Sequence, residues 1–394
     1  MGGMITPIPA VKKAAWIEVY FDLVFVLAIA QVSHVVADHP GWAGLAQGLG
    51  LFAVLWWTWI GFVVFYNRYG DDRSAWQRLA LIAATVPCGL AAVALPALMD
   101  GHRVAFTLSL AAARALLAVM NAVQGRDLSR RIASAYGASA IALVVSLLLP
   151  SPLWWLLWAA VIVSESLAAF AAGKPRRLSA EEQADTGKDW RKSLRLLKPT
   201  DPEYALNVPH LAERLGLFII ILLGEVVVTA GQAAVAHGDL SWPDAAGVLV
   251  LAGALWWTYF DAVARTYERL LEMSGGAPEI ARSVFGAGRI IPAFAIVMIA
   301  AGLRVLLLPN PAVAGYWLVS CGIGTYLLGM RIDFDKATWA RLALFMLSFP
   351  LGLLGNVVNV HVFIWLMGAW MAVCAYAAST GSRALQSQIV ASQP

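Results

Sequence analysis

The stretch LAQGLGLFAVLWWTWIGFVVFY, residues 45–66, contains no charged side chain. As a helix it would reach roughly 33 Å, about the thickness of a bilayer's hydrocarbon core. Its surroundings are of the same kind: the 394-residue chain is 60% hydrophobic and 13% charged, with mean hydropathy +0.71. That is more apolar surface than one soluble core can hide, so lipid must be the solvent. In hydrocarbon every backbone N–H and C=O needs an internal partner, and runs of about twenty apolar residues select helices over a closed barrel. The fold class expected is an all-α polytopic transmembrane bundle.

The tetrapeptide Leu55-Trp56-Trp57-Thr58 inside this stretch recurs as Leu255-Trp256-Trp257-Thr258, followed in both copies by an aromatic residue (Trp59, Tyr259) and an apolar one (Ile60, Phe260). A duplicated helical unit is the economical explanation. Scanning for similar runs predicts about twelve spans: Trp16–Val36, Leu45–Tyr66, Leu79–Met99, Val104–Val123, Ile132–Leu149, Leu153–Ala172, Pro209–Val235, Ala245–Ala264, Phe285–Leu307, Ala312–Met330, Leu342–Val360 and Val362–Ala378. Phe106–Met120 can be laid on Tyr316–Met330 at an offset of 210, which also places Arg131 on Arg341 and Trp155 on Trp365. The organisation predicted is two six-helix repeats of the same topology, residues 1–173 and 208–394, joined by a charged linker, 174–207. Within the linker, Ser179–Lys198 is compatible with a surface amphipathic helix, with Trp190, Leu194 and Leu197 on one side.

Basic residues set the expected orientation. Lys12 and Lys13, Arg68 and Arg73, Arg126, Arg130 and Arg131, the linker cluster, Arg269 and Arg282, and Arg331 and Lys336 all fall in loops on one side; Arg103 is the clear exception. By the positive-inside rule, both termini and the linker are expected in the cytoplasm, which requires an even number of spans. No small-residue cleavage site follows the first apolar run, so it is read as an uncleaved span. Cys88, Cys321 and Cys374 lie in separate apolar segments and suggest no disulfide framework.

An ionisable side chain facing hydrocarbon costs at least about 2.5–3.5 kcal/mol, so those inside spans are expected to face protein or a cavity and to have partners. Glu18 and Asp22, four apart in Trp16–Phe25, share a helix face near its start. Two like charges so close favour keeping a proton on one of them unless a cation intervenes. Acidic residues also suit a helix N-terminus for its dipole alone. The seventh span opens with Asn207 as a candidate cap and Pro209 in its first turn, then carries His210, Glu213, Arg214 and, deeper, Glu225. Arg214 and Glu225, eleven apart, are nearly in line and mark a possible polar stripe. His210 and Glu213 have a spacing compatible with metal ligation, but two ligands without further His or Cys favour a hydrogen-bonded pair, and no metal is expected. Arg114, in mid-span, needs a carboxylate, with Glu165 and Glu225 as the candidates, and Asp261 lies in the eighth span.

In these two helix openings the sequence resembles the bacterial low temperature requirement protein A (LtrA) family, through Glu18, Phe21, Asp22, Leu23, Val24 and Phe25, and through His210, Glu213, Arg214, Gly216, Leu217, Phe218, Gly224 and Glu225. The resemblance implies a polytopic protein of the bacterial inner membrane linked by name to growth in the cold, without implying a molecular activity.

Paired six-span halves with charges inside spans suit a secondary transporter or permease. Glu18, Asp22, Arg114, Glu165, His210, Glu213, Arg214, Glu225 and Asp261 are then the candidate pathway residues, and one carboxylate exchanges a proton. The alternatives are an intramembrane enzyme acting on a lipid or hydrophobic metabolite, and a channel or membrane sensor. No nucleophile elbow, phosphate loop or zinc-protease helix speaks for catalysis, so an enzyme is the less favoured reading. The expected partners are membrane lipids and a small solute or ion. No cofactor is expected, and no nucleic-acid module is present.

Overall fold

The computed structural model describes residues 13–173, 194, 196–236, 242–308, 310–330 and 338–391. Among these residues there is no strand; twelve helical rods follow one another along the chain. They are α1 (Trp16–Asp38), α2 (Trp42–Tyr69), α3 (Ala75–Met99), α4 (Val104–Val123), α5 (Asp127–Ser146), α6 (Leu153–Ala169), α7 (Val208–Ala236), α8 (Trp242–Met273), α9 (Pro278–Leu306), α10 (Val313–Gly329), α11 (Trp339–Asn356) and α12 (Val360–Ala391). Eight of them, α1 to α4, α8, α9, α11 and α12, are long and apolar enough to cross a membrane, while α6 and α10 are shorter apolar helices of 17 residues each. The Ser179–Lys198 segment, proposed above as amphipathic, falls mostly outside the described residues.

Two rods form the centre. In the apolar windows of α2 and α9, 83% and 72% of residues are buried inside the protein, against 22% for α11. Phe52 of α2 meets Phe294 of α9 at 5.7 Å between ring centroids, and Trp56 Nε1 donates to the Gly286 carbonyl at 3.2 Å. Around them, α1 packs on α2, α3, α7 and α9; α3 packs on α4, α4 on α5, α5 on α6 and α6 on α2. Beyond the linker, α7 packs on α8 and α9, α9 on α10, α10 on α11, and α8 on α12.

Close approach in this bundle depends on small residues. Gly315, Gly322 and Gly329 recur every seventh residue along α10 and face α9. A Cβ at Gly322 would lie 3.0 Å from the Ala295 carbonyl oxygen, and one at Gly329 would lie 2.9 Å from Pro292 Cβ. Hydrocarbon lends helices no hydrophobic drive to associate, so van der Waals contact between backbones takes that role.

Regular helix fails in three places. The predicted span Leu342–Val360 is not one α-helix: its α-helical part, Thr338–Met346, ends before a 3-10 segment, Phe349–Asn356, that contains Pro350, Gly352 and Gly355. Proline removes a backbone donor and clashes with the preceding turn, which favours the break there. The rods α8 and α9 each contain a π-helical stretch, at Thr258–Ala264 and Arg282–Ala287. Between these rods Gly275 and Gly276 turn with φ of 63° and 73°. Gly276 also accepts the Leu206 N–H at 3.0 Å, tying the segment before α7 to this turn.

Candidate functional site

The openings of α1 and α7 lie side by side. Asn207 caps α7, its side-chain oxygen accepting the His210 N–H at 3.1 Å, and Pro209 occupies the first turn. On α1, Glu18 reaches back to its own N-terminus, accepting the Ala15 N–H at 3.0 Å. The dipole-capping role expected of an acidic residue is therefore met, but only one carboxylate oxygen is used for it.

Across the seam Glu18 Oε1 lies 3.1 Å from His210 Nε2, Glu18 Oε2 lies 3.3 Å from Arg214 Nη1, and Arg214 Nη2 donates to Asp22 Oδ1 at 2.7 Å. Glu18, Asp22, His210 and Arg214 are each at most 1% exposed. Glu18–His210 and Asp22–Arg214 are both separated by 192 residues in the chain. Advancing one turn on α1 thus advances one turn on α7, so the two helices run parallel. The cation that could relieve two adjacent carboxylates is present, and it comes from the second half of the sequence.

A second layer comes from α2. Trp59 Nε1 donates to Asp22 Oδ1 at 2.7 Å, and its ring lies 4.2 Å from that of Phe218, one turn beyond Arg214. Asn67 accepts the Asn207 N–H at 2.9 Å, which fixes the orientation of its amide, so its Nδ2 faces His210 Nδ1 at 3.1 Å. The Asn67 amide therefore presents a donor to Nδ1, while Nε2 faces the Glu18 carboxylate. Asp22 Oδ2 and Arg214 Nε are buried and have no hydrogen-bonding partner among the described residues. Trp59 lies in the chargeless run from which the fold was read and Asn67 directly follows it; a polar atom beside apolar residues was the only signal they offered.

Glu225 is not part of this cluster. Phe218, Ile219 and Leu222 are buried between it and Arg214, and Phe218 also packs on Phe25 and Trp56, so the expected polar stripe is interrupted by rings. Glu225 instead accepts from Thr229 Oγ1 at 3.3 Å, with Ser33 of α1 and Arg304 of α9 as polar neighbours. Ser33 and Glu225 are again 192 residues apart. Arg304 in turn donates to His34 Nε2 at 2.8 Å.

The mid-span arginine is paired with Glu165 rather than Glu225. Arg114 Nε and Nη2 bind Glu165 Oε1 and Oε2 at 2.9 and 3.2 Å, a side-on bidentate fork, while Nη1 donates to Thr58 Oγ1 at 2.8 Å. The first Leu-Trp-Trp-Thr copy therefore supplies a ligand to a buried charge, and Trp56 and Trp59 are enclosed. In the second copy Trp256 and Trp257 are 46% and 49% exposed. Glu213 is exposed and accepts the Ala14 N–H at 2.8 Å, so it does not pair with His210. Asp261 is 3.5 Å from Arg383 near the surface, apart from both clusters. Among the described residues no three His, Cys, Asp or Glu side chains are grouped to hold a metal ion.

Comparison with known proteins agrees with the helix openings. The model of the bacterial low temperature requirement A protein (LtrA) family matches residues 13–380. The uncharacterized protein RA0937 of Rhizobium meliloti (strain 1021) is 27% identical over 260 residues, which cover 63% of this chain and 58% of that protein. The aligned part thus spans less than two thirds of the relative's length. No solved structure matches. With its family match covering nearly the whole chain and eight apolar helices long enough to span a bilayer, this protein is a multi-pass integral membrane member of the LtrA family.

Proposed function

We propose that the protein is a secondary transporter of the bacterial inner membrane that moves a small solute or ion in exchange for a proton held in the α1–α7 cluster. One observation carries this reading: two buried acids share one buried arginine. Glu18 and Asp22 both lean on Arg214, and the Asn67 amide presents a donor, not an acceptor, to His210 Nδ1. Burying a net charge in a low-dielectric interior is costly, so the cluster favours one additional proton, and Asp22 Oδ2 is an unpartnered place for it. A site neutral only when protonated suits a carrier that must lose and regain a proton as access alternates.

A transporter of this kind would have twelve crossings arranged as six plus six, and the packing of the rods is compatible with that. Parallel α1 and α7 need an even number of crossings between their starts, and six satisfies this. Within the first half α1 packs on α2 and α3 and α3 on α4, as in the second α7 packs on α8 and α9 and α9 on α10, a likeness that favours repeats related by an axis along the membrane normal. With the basic loops inside, both termini face the cytoplasm, and the cluster lies toward that side.

The test is reconstitution of the purified protein in liposomes containing a pH-sensitive dye. Wild-type protein should acidify or alkalinise the lumen when an ion gradient is imposed, and Asp22→Asn should abolish this while still running as a monodisperse, folded peak. Proton movement in Asp22→Asn equal to the wild type would reject the assignment.

A further inference from the structure

A third buried arginine has no acid beside it among the described residues. Arg289 of α9 is 2% exposed, and its guanidinium carbon lies 3.7 Å from the centroid of the Tyr267 ring of α8. Nη1 donates to the Gly329 carbonyl at 3.4 Å and to Met330 Sδ at 3.1 Å, and Nη2 is buried without a partner. None of these neighbours is an anion. Gly329 ends α10, and the dipole of a helix C-terminus supplies at most about half an elementary charge. Arg114 and Arg214, equally buried, each hold a carboxylate.

Arg114 shows within the same molecule what the unused edge of Arg289 is suited to bind. Its Nε and Nη2 grip both oxygens of Glu165, and in Arg289 the Nη2 of that same edge is buried with no hydrogen-bonding partner among the described residues. The two π-helical stretches lie on the rods that bear Tyr267 and Arg289 and end close to each residue. Such wide turns occur frequently at functional sites.

We infer that Arg289 is the receptor for an oxyanion, a carboxylate or phosphate group presented side-on to its Nε–Nη2 edge and braced by Tyr267. The group can belong to a soluble anion or to a phospholipid headgroup, and the site is independent of the proton cluster on α1 and α7.

Full-length protein in a nonionic detergent, titrated with sodium phosphate and with sodium acetate at constant ionic strength, should show a saturable rise in Tm. Arg289→Lys, which keeps the charge and loses the fork, should need about tenfold more anion or worse, and Arg289→Gln should not respond. In anion-free, delipidated buffer Arg289→Gln should melt above the wild type, because an uncompensated charge has been removed; an arginine serving structure alone would give a lower Tm. Native mass spectrometry separates the sources. Phospholipid retained by the wild type and lost in Arg289→Gln assigns the headgroup, while a phosphate or acetate response without retained lipid assigns a soluble ligand. A wild type that answers neither probe and retains no phospholipid overturns the inference, and Arg289→Lys preserves the comparison if Arg289→Gln does not fold.

Discussion

Asp22 on α1 and Arg214 on α7 meet at 2.7 Å with both side chains at most 1% exposed, although 192 residues separate them in the chain. Nothing near either residue in sequence foretells the other. Removing one member of a buried pair leaves its partner uncompensated, at a cost of about 3–5 kcal/mol. Arg214→Gln should be the worse lesion, since it strands two carboxylates, whereas Asp22→Asn leaves Glu18 to hold the guanidinium. Thermal melts of the two variants in detergent check the order; Asp22→Asn melting below Arg214→Gln contradicts it.

Arg114 and Glu165 form a closed pair inside the first half. Each single neutral variant, Arg114→Met or Glu165→Gln, should lose stability on the same scale of about 3–5 kcal/mol, and the double variant should recover most of it, because hydrophobic or neutral replacements of a whole buried pair are often tolerated. A double-mutant cycle with no coupling would show that the fork adds nothing.

Trp59→Phe isolates one hydrogen bond while keeping an aromatic ring against Phe218. A bond to a charged group contributes about 1.5–3 kcal/mol, so a loss of that order is expected, with a further change in proton movement in liposomes if Asp22 is the exchanging group. An unchanged Tm would mean that Asp22 finds another donor.

The Asn67 amide nitrogen faces His210 Nδ1 at 3.1 Å. In the wild type the imidazole should carry a single proton on Nε2; in Asn67→Asp an acceptor faces Nδ1 and the ring should carry two protons at neutral pH. Imidazole 15N shifts distinguish these states, and a doubly protonated wild-type ring would undo the charge count that underlies the proton site.

Gly322→Val probes the seam between α9 and α10. A side chain there meets the Ala295 carbonyl and Ile299, so the helices must separate, at a cost of about 1–3 kcal/mol or more. Ala is the milder control, and a wild-type melting temperature for Gly322→Val would mean that the seam is slack.

Much of this architecture was legible from residues alone. Lipid as solvent follows from the runs themselves, since 22 chargeless residues such as 45–66 have one stable backbone solution in hydrocarbon, and the ends of α1, α2, α4 and α6 fall close to where those runs stop. Glu18, Asp22, His210, Arg214, Arg114 and Glu165 stood out because a charge within an apolar run demands compensation. The break in α11 was harder to see, because Pro350 sits in a run still apolar enough to cross a membrane.

Partnership between helices belongs to another level. Hydropathy and charge are properties of one side chain and its immediate neighbours, and they decide that a segment enters the membrane and that its charge must be compensated. Which partner answers depends on helix rotation, register and depth, which arise only when all the rods pack together. Packing therefore chose Glu165 over Glu225 for Arg114, turned Glu213 outward beside His210, inserted Phe218 between Arg214 and Glu225, and left Arg289 without an acid among the described residues.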